Sequence, residues 1–361
     1  MTVNDSREGI PDTDAPPRIR HDPTALPWTR FHDIVAGHAG KELVEDYLRA
    51  CELQLARRPQ TGTFLETALR HALSGGKQLR SLLVLAVASA ARRPLRPEAL
   101  GRLARAGLAV ELLHYASLVH DDIIDGADLR RGRPTVHRRE GEQRAVLCGD
   151  YVLALAFDRA VGLGRAEGGV VARAFAAMCE GMAREIGDQH NTARREADYF
   201  AAVEGKSAAL ISAACRLGAL GRGLTASAVE ALGAYGRLMG LAFQIVDDIH
   251  DLTLPPGSTG KPPGQDLIAG IYTLPVLRAL PRQAGLAHLL APHRTGEDDR
   301  PARAIRLIVG TSAIASCRAT ARDLAEEAVG HLSRAGGELG RDGAGMLGEI
   351  ARSVLSAPDG G

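Results

Sequence analysis

Apolar residues recur at steps of three and four along nearly the whole chain. Val44, Leu48, Cys51 and Leu55 follow this spacing, and so do Leu112, Ala116, Val119 and Ile123. Such a period puts one apolar stripe on one face of an α-helix. Alternating strand patterns joined by hairpin turns are missing, and so is any βαβ rhythm. Abundant alanine favours helix and lets helices approach closely. Proline and glycine punctuate the pattern at 94–97, 162–169, 221–223, 255–264 and 292–301. No repeat at a fixed period and no shift of composition marks a second domain. These features predict one all-α domain over residues 28–356, a single large bundle of ten or more helices. Residues 1–27 carry Pro11, Pro16, Pro17, Pro23 and Pro27 among charges and read as a disordered tail.

A chain of 361 residues can bury a large core. Its 44 basic and 43 acidic residues leave a net charge of +1, so no global field exists for gripping nucleic acid. Only six Phe, six Tyr and one Trp are present, too few for base-stacking platforms. The expected partners therefore include no nucleic acid. Cys51, Cys148, Cys179, Cys215 and Cys317 stand far apart, which argues for reduced thiols and a cytoplasmic location. No apolar stretch is long enough for a membrane span, and the polar, acidic start lacks the apolar region of a signal peptide.

Two acidic clusters stand out. Asp121, Asp122 and Asp125 form a DDxxD at the end of an apolar helix expected over 103–124. Helical spacing extends one face backwards through Ser117 and His114. Asp247, Asp248 and Asp251 form a second DDxxD, with Gln244 one turn earlier on the same face. Three carboxylates on one turn repel each other, and a hard divalent cation with oxygen ligands, such as Mg²⁺, relieves that repulsion. A solvated acidic helix end would explain one such cluster. Two clusters, each behind an apolar run, point instead to a polyphosphate clamped from two sides above an apolar wall.

Cations accompany the clusters. Ser74-Gly75-Gly76-Lys77-Gln78-Leu79-Arg80 reads as a glycine turn leading into a helix whose free N–H groups and basic side chains face the same place. Arg130 and Arg131 precede Gly132 and Pro134 in a loop that can fold guanidinium groups over the first cluster. Lys206 and Ser207 lie among small residues, where a buried lysine needs an anionic partner. Lys261 sits in the glycine- and proline-rich loop after the second cluster.

These residues, in this order, resemble the trans-isoprenyl diphosphate synthase (polyprenyl synthetase) family over about 75–275. "GGKQLRS" is similar to GGKxxRP, with Ser81 in place of proline. "LLHYASLVHDDIIDGADLRRGRPTVH" and "FQIVDDIHDLT" resemble the two aspartate-rich motifs, "GKS" at 205–207 stands for GKT, and "GKPPGQDL" resembles the following loop. The resemblance implies an isoprenoid synthase-like bundle around a central cavity, acting as a homodimer. It implies that Lys77, Arg80, His114 and Arg131 hold isopentenyl diphosphate. It implies that Asp121, Asp125 and Asp247, assisted by Asp122, Asp248 and Asp251, hold Mg²⁺ around an allylic diphosphate. Arg130, Lys206 and Lys261 would touch that diphosphate, and Gln244 and Ser207 would lie near the reacting carbon. One departure is plain: where the family shows DLxxGKxTLP, Ile271 replaces the lysine.

The implied reaction is ionisation of the allylic diphosphate, alkylation of isopentenyl diphosphate and loss of a proton. A terpene cyclase or a non-catalytic partner subunit are the competing readings; the intact second DDxxD and Lys77/Arg80 argue against both. The helix face before Asp121 is expected to wall the product cavity through Ser117 and Ala116, both small, with Tyr115 turned to one side. That favours a geranylgeranyl or longer product.

Overall fold

The computed structural model describes residues 28–57, 61–73, 78–130, 132–254, 263–291 and 299–355. The expected tail, 1–27, lies outside the described residues, as do Lys77, Arg131 and Lys261. Well over ten helices make up the rest. At the centre stands the helix Leu100–Ile124, which packs against Lys41–Ala56, Leu79–Ala90, Glu142–Val161 and Ala209–Gly221. It is apolar on almost every side; Leu103, Val110, Leu112 and Leu113 are buried around its circumference. That is the signature of a helix enclosed by others. A second long helix, Ala226–Thr253, packs on Ala209–Gly221 and on Ala313–Leu332.

Small residues let these helices meet. A β-carbon at Gly107 would run into the Tyr47 hydroxyl, and one at Gly240 would meet Ala208. The expected stripe Val44, Cys51 and Leu55 is buried as its spacing requires, with Leu48 partly covered. One local expectation fails: the segment after the first cluster is a small antiparallel hairpin rather than a loop. It pairs Leu129 with Pro134 and Arg130 with Arg133. Gly132 takes a φ of 72° in its turn, a conformation glycine adopts without strain. A two-residue ladder is too short to leave a period-2 signature. All five thiols are free, four of them buried. Among the described residues, no helix is long and apolar enough to cross a membrane.

Candidate active site

The first aspartate helix ends where Asp125 donates its N–H to the Asp121 carbonyl at 2.8 Å. His114, Ser117, Asp121 and Asp125, at steps of three and four, all line one cavity of about 480 Å³. Asp122 does not line it. Asp122 is buried and accepts a hydrogen bond from Arg130 Nε at 2.7 Å. The hairpin is thus pulled back over the helix end, and Thr135 fastens it further by donating to the Ala127 carbonyl at 2.8 Å. Arg130 reaches the cavity wall in consequence. Asp122, expected in the metal set, is thus engaged by Arg130 rather than lining the cavity.

From the facing helix, Gln244, Asp247 and Asp248 line the same cavity. Ser207 Oγ donates to Gln244 Oε1 at 2.6 Å, and Gln244 Nε2 donates to Asp248 Oδ1 at 2.9 Å. Tyr199 donates its hydroxyl to Asp248 Oδ2 at 2.6 Å. This chain fixes the amide and the carboxylate in one orientation. Asp251 again turns elsewhere: its carboxylate accepts from the backbone N–H groups of Gln265 at 3.2 Å and Asp266 at 3.4 Å. It caps the short helix Gln265–Ile268 and thereby presents Asp266 to the cavity. Burial and repulsion from Asp251 push the Asp266 carboxyl up to about 7. Asp266 belongs to neither aspartate-rich motif; its signal in the sequence is only an aspartate near the end of the loop motif "GKPPGQDL".

Lys206 and Ser207 lie in a widened π-helical turn, Glu204–Ala208. Such turns break the regular ladder and occur often at functional sites. Here the neighbouring helix Arg165–Gly187 presses into the turn. A β-carbon at Gly181 would strike the Lys206 backbone, and one at Gly205 would strike the Ala177 carbonyl. The close approach lets Lys206 pair with Glu185. Burial alone would lower the lysine pKa, but Glu185, then Asp121 and Asp266, raise it above its ordinary value.

On the third side, Gln78 begins the helix Leu79–Ala90 in a left-handed conformation, φ 48°, although it is not glycine. Strained, buried backbone of this kind concentrates at ligand sites. Gln78, Arg80 and Glu111 line the cavity. Ser81 is the third residue of that helix. Its N–H donates to Glu111 Oε1 at 3.0 Å, and its carbonyl accepts from the Tyr47 hydroxyl at 2.8 Å.

The expected floor needs correction. Tyr115 and Leu118 line the cavity with Ser117, whereas Ala116 is only 1% exposed and packed away from it. Met178, Val203, Leu210, Ile211 and Phe243 complete an apolar end. A larger groove of about 710 Å³ lies between helices 165–187, 209–221 and 226–253, but no residue of either aspartate motif borders it.

Seven carboxylates line the cavity against four cations among the described residues. That surplus suits divalent metal. Burial, with repulsion from Asp125 and Glu185, pushes Asp121 up to about 6 in spite of Lys206 and Arg130. No group of three or more His, Cys, Asp or Glu side chains among the described residues forms a metal cage by itself. Mg²⁺ needs no such cage, because it keeps waters and takes phosphate oxygens beside one or two carboxylates.

Helical walls, facing carboxylates and an apolar end define an isoprenoid synthase fold. The profile of the polyprenyl synthetase family matches residues 63–308. The chain is 39% identical to heptaprenyl diphosphate synthase component 2 of Geobacillus stearothermophilus, over 66% of this chain and 73% of that one. It is 35% identical to a short chain isoprenyl diphosphate synthase of Methanothermobacter thermautotrophicus, over 72% and 81% respectively. The structure superposes on a decaprenyl diphosphate synthase from Rhodobacter capsulatus with a TM-score of 0.78 at 28% identity, covering 90% of this chain and 98% of the other. The chain belongs to the polyprenyl synthetase family and is a prenyltransferase, an isoprenyl diphosphate synthase.

Proposed function

We propose that the chain condenses isopentenyl diphosphate with an allylic diphosphate, head to tail, to give a geranylgeranyl or longer product. The observation that carries this reading is the single cavity in which Asp121 and Asp125 meet Asp247, with Lys206 among them and an apolar end beyond. Mg²⁺ held by Asp121, Asp125 and Asp247, with Asp266 close by, would supply Lewis-acid stabilisation of the departing diphosphate. Lys206 and Arg130 donate to the same leaving group, with Lys261 as the third cation on its loop. Lys77, Arg80, His114 and Arg131 hold isopentenyl diphosphate. The oriented Ser207–Gln244 pair faces the carbon that becomes positive. Its fixed amide dipole stabilises charge without reorganisation. The apolar end excludes water, and the released diphosphate takes the final proton.

The chain works in the cytoplasm, consistent with five free thiols. It acts as a homodimer through the helix Glu142–Val161, whose Val146, Leu147 and Val161 are 43%, 54% and 68% exposed. The relative named as a component 2 makes a two-component assembly the competing arrangement.

Incubating the purified chain alone with isopentenyl and farnesyl diphosphates decides the matter. Elongated, dephosphorylated products on chromatography support the reading, and no product from the chain alone favours a partner-dependent subunit. Asp121→Ala and Asp247→Ala should each lower turnover roughly 10³-fold or more with the fold intact. Near-wild-type turnover of either would remove it from the metal set.

A further inference from the structure

Arg194 is a buried guanidinium at the cavity wall, with its side chain only 2% exposed. One of its nitrogens, Nη1, donates to the Tyr272 carbonyl at 3.1 Å. Its Nε lies 3.2 Å from an Asp188 carboxylate oxygen, and the guanidinium carbon sits 5.7 Å from the centre of the Tyr199 ring. Nε meets Asp188 as an ion pair without a hydrogen bond, and neither Nε nor Nη2 has a hydrogen-bond partner among the described residues. A buried charged donor left unmatched is costly and calls for a partner.

The loop that carries Arg194 is stitched to the segment around Ile271. Gln189 Nε2 donates to the Ala269 carbonyl at 2.6 Å, and the His190 N–H donates to the Gly270 carbonyl at 2.7 Å. With Arg194 on Tyr272, three bonds tie the two segments together on either side of Ile271. Ile271 and Thr273, flanking Tyr272, both line the cavity. Arg194 therefore stands beside the position where the family's lysine is replaced by isoleucine.

We propose that Arg194 supplies the diphosphate-binding cation that Ile271 cannot, its guanidinium donating to an oxygen of the allylic diphosphate. This rests on the allylic diphosphate being the substrate. A guanidinium held on two sides is preorganised, so binding costs little side-chain entropy. Asp188 and the ring of Tyr199 keep the charge balanced while the site is empty.

Two measurements on the full-length chain test it: Mg²⁺-dependent binding of inorganic pyrophosphate by calorimetry, and KM for farnesyl and isopentenyl diphosphates. Arg194→Met should weaken pyrophosphate and raise the farnesyl diphosphate KM roughly 10- to 100-fold, with the isopentenyl diphosphate KM within about twofold. Adding Ile271→Lys to Arg194→Met should recover most of that loss. Arg194→Lys keeps the buried charge and serves if the methionine variant fails to fold; it should show the same selective rise, smaller in size. Unchanged pyrophosphate affinity, equal rises in both KM values, or no recovery from Ile271→Lys would each overturn the assignment. If the wild-type chain does not turn over farnesyl diphosphate, the functional reading fails, and the pyrophosphate difference still decides the role of Arg194.

Discussion

Tyr115 illustrates how one side chain's direction changes an expectation about product. A growing isoprenoid must enter the apolar end of the cavity, and Tyr115 with Leu118 stands there while Ala116 is packed elsewhere. Tyr115→Ala should therefore yield products longer by at least one isoprene unit, read by chromatography after dephosphorylation. The same distribution as wild type would place the floor on another wall. Adjacent helical residues differ by about 100° in direction, so small errors in judging which face meets the cavity exchange neighbours. Spacing did identify His114, Ser117, Asp121 and Asp125 as one stripe. It could not reveal that Asp122 and Asp251 serve Arg130 and the Gln265–Ile268 helix, because a hydrogen bond across eight or fourteen residues leaves no periodic trace.

Elements were legible where apolar periodicity ran long and illegible where geometry departs from the regular ladder. The helices Leu100–Ile124 and Ala226–Thr253 carry strong stripes. The π-turn Glu204–Ala208 reads in sequence as ordinary helix, since nothing but the glycines at 181 and 205 hints that two backbones touch. Gly181→Ala should force the Arg165–Gly187 helix away from that turn and shift Lys206 and Ser207 together. We expect a fall in turnover of roughly 10²-fold or more, because displacements near 1 Å at reacting groups have that effect. The expected companion is a melting temperature lowered by a few degrees, since overpacking costs about 1–3 kcal/mol. Wild-type turnover would show that the turn's position is not set by this contact.

At the scale of the whole molecule, the described residues around the cavity carry more negative than positive charge. That repulsion weakens the free protein and is relieved by ligands that join cations to phosphate. Mg²⁺ and inorganic pyrophosphate together should raise the melting temperature by about 5 °C at concentrations well above Kd, and clearly more than either alone. Additive small shifts from the two ligands would argue against a shared site. The all-α class and one cavity followed from composition and motifs, whereas the cavity's acid-rich balance needed Asp266, Glu185 and Glu111 brought in from three separate segments.

Ser81 carries a consequence for how such a chain can change over time. The third N–H of an α-helix has no partner within the helix. A proline there removes the donor altogether, whereas Ser81 keeps it and hands it to Glu111 at 3.0 Å. These are two separate solutions to one problem, and the present one also engages Tyr47 through the Ser81 hydroxyl at 2.9 Å. Restoring proline alone should lower the melting temperature, because Glu111 and Tyr47 would each lose a buried bond. Ser81→Pro as a single change therefore carries a cost set by its neighbours, and an unchanged melting temperature would show that neither bond contributes.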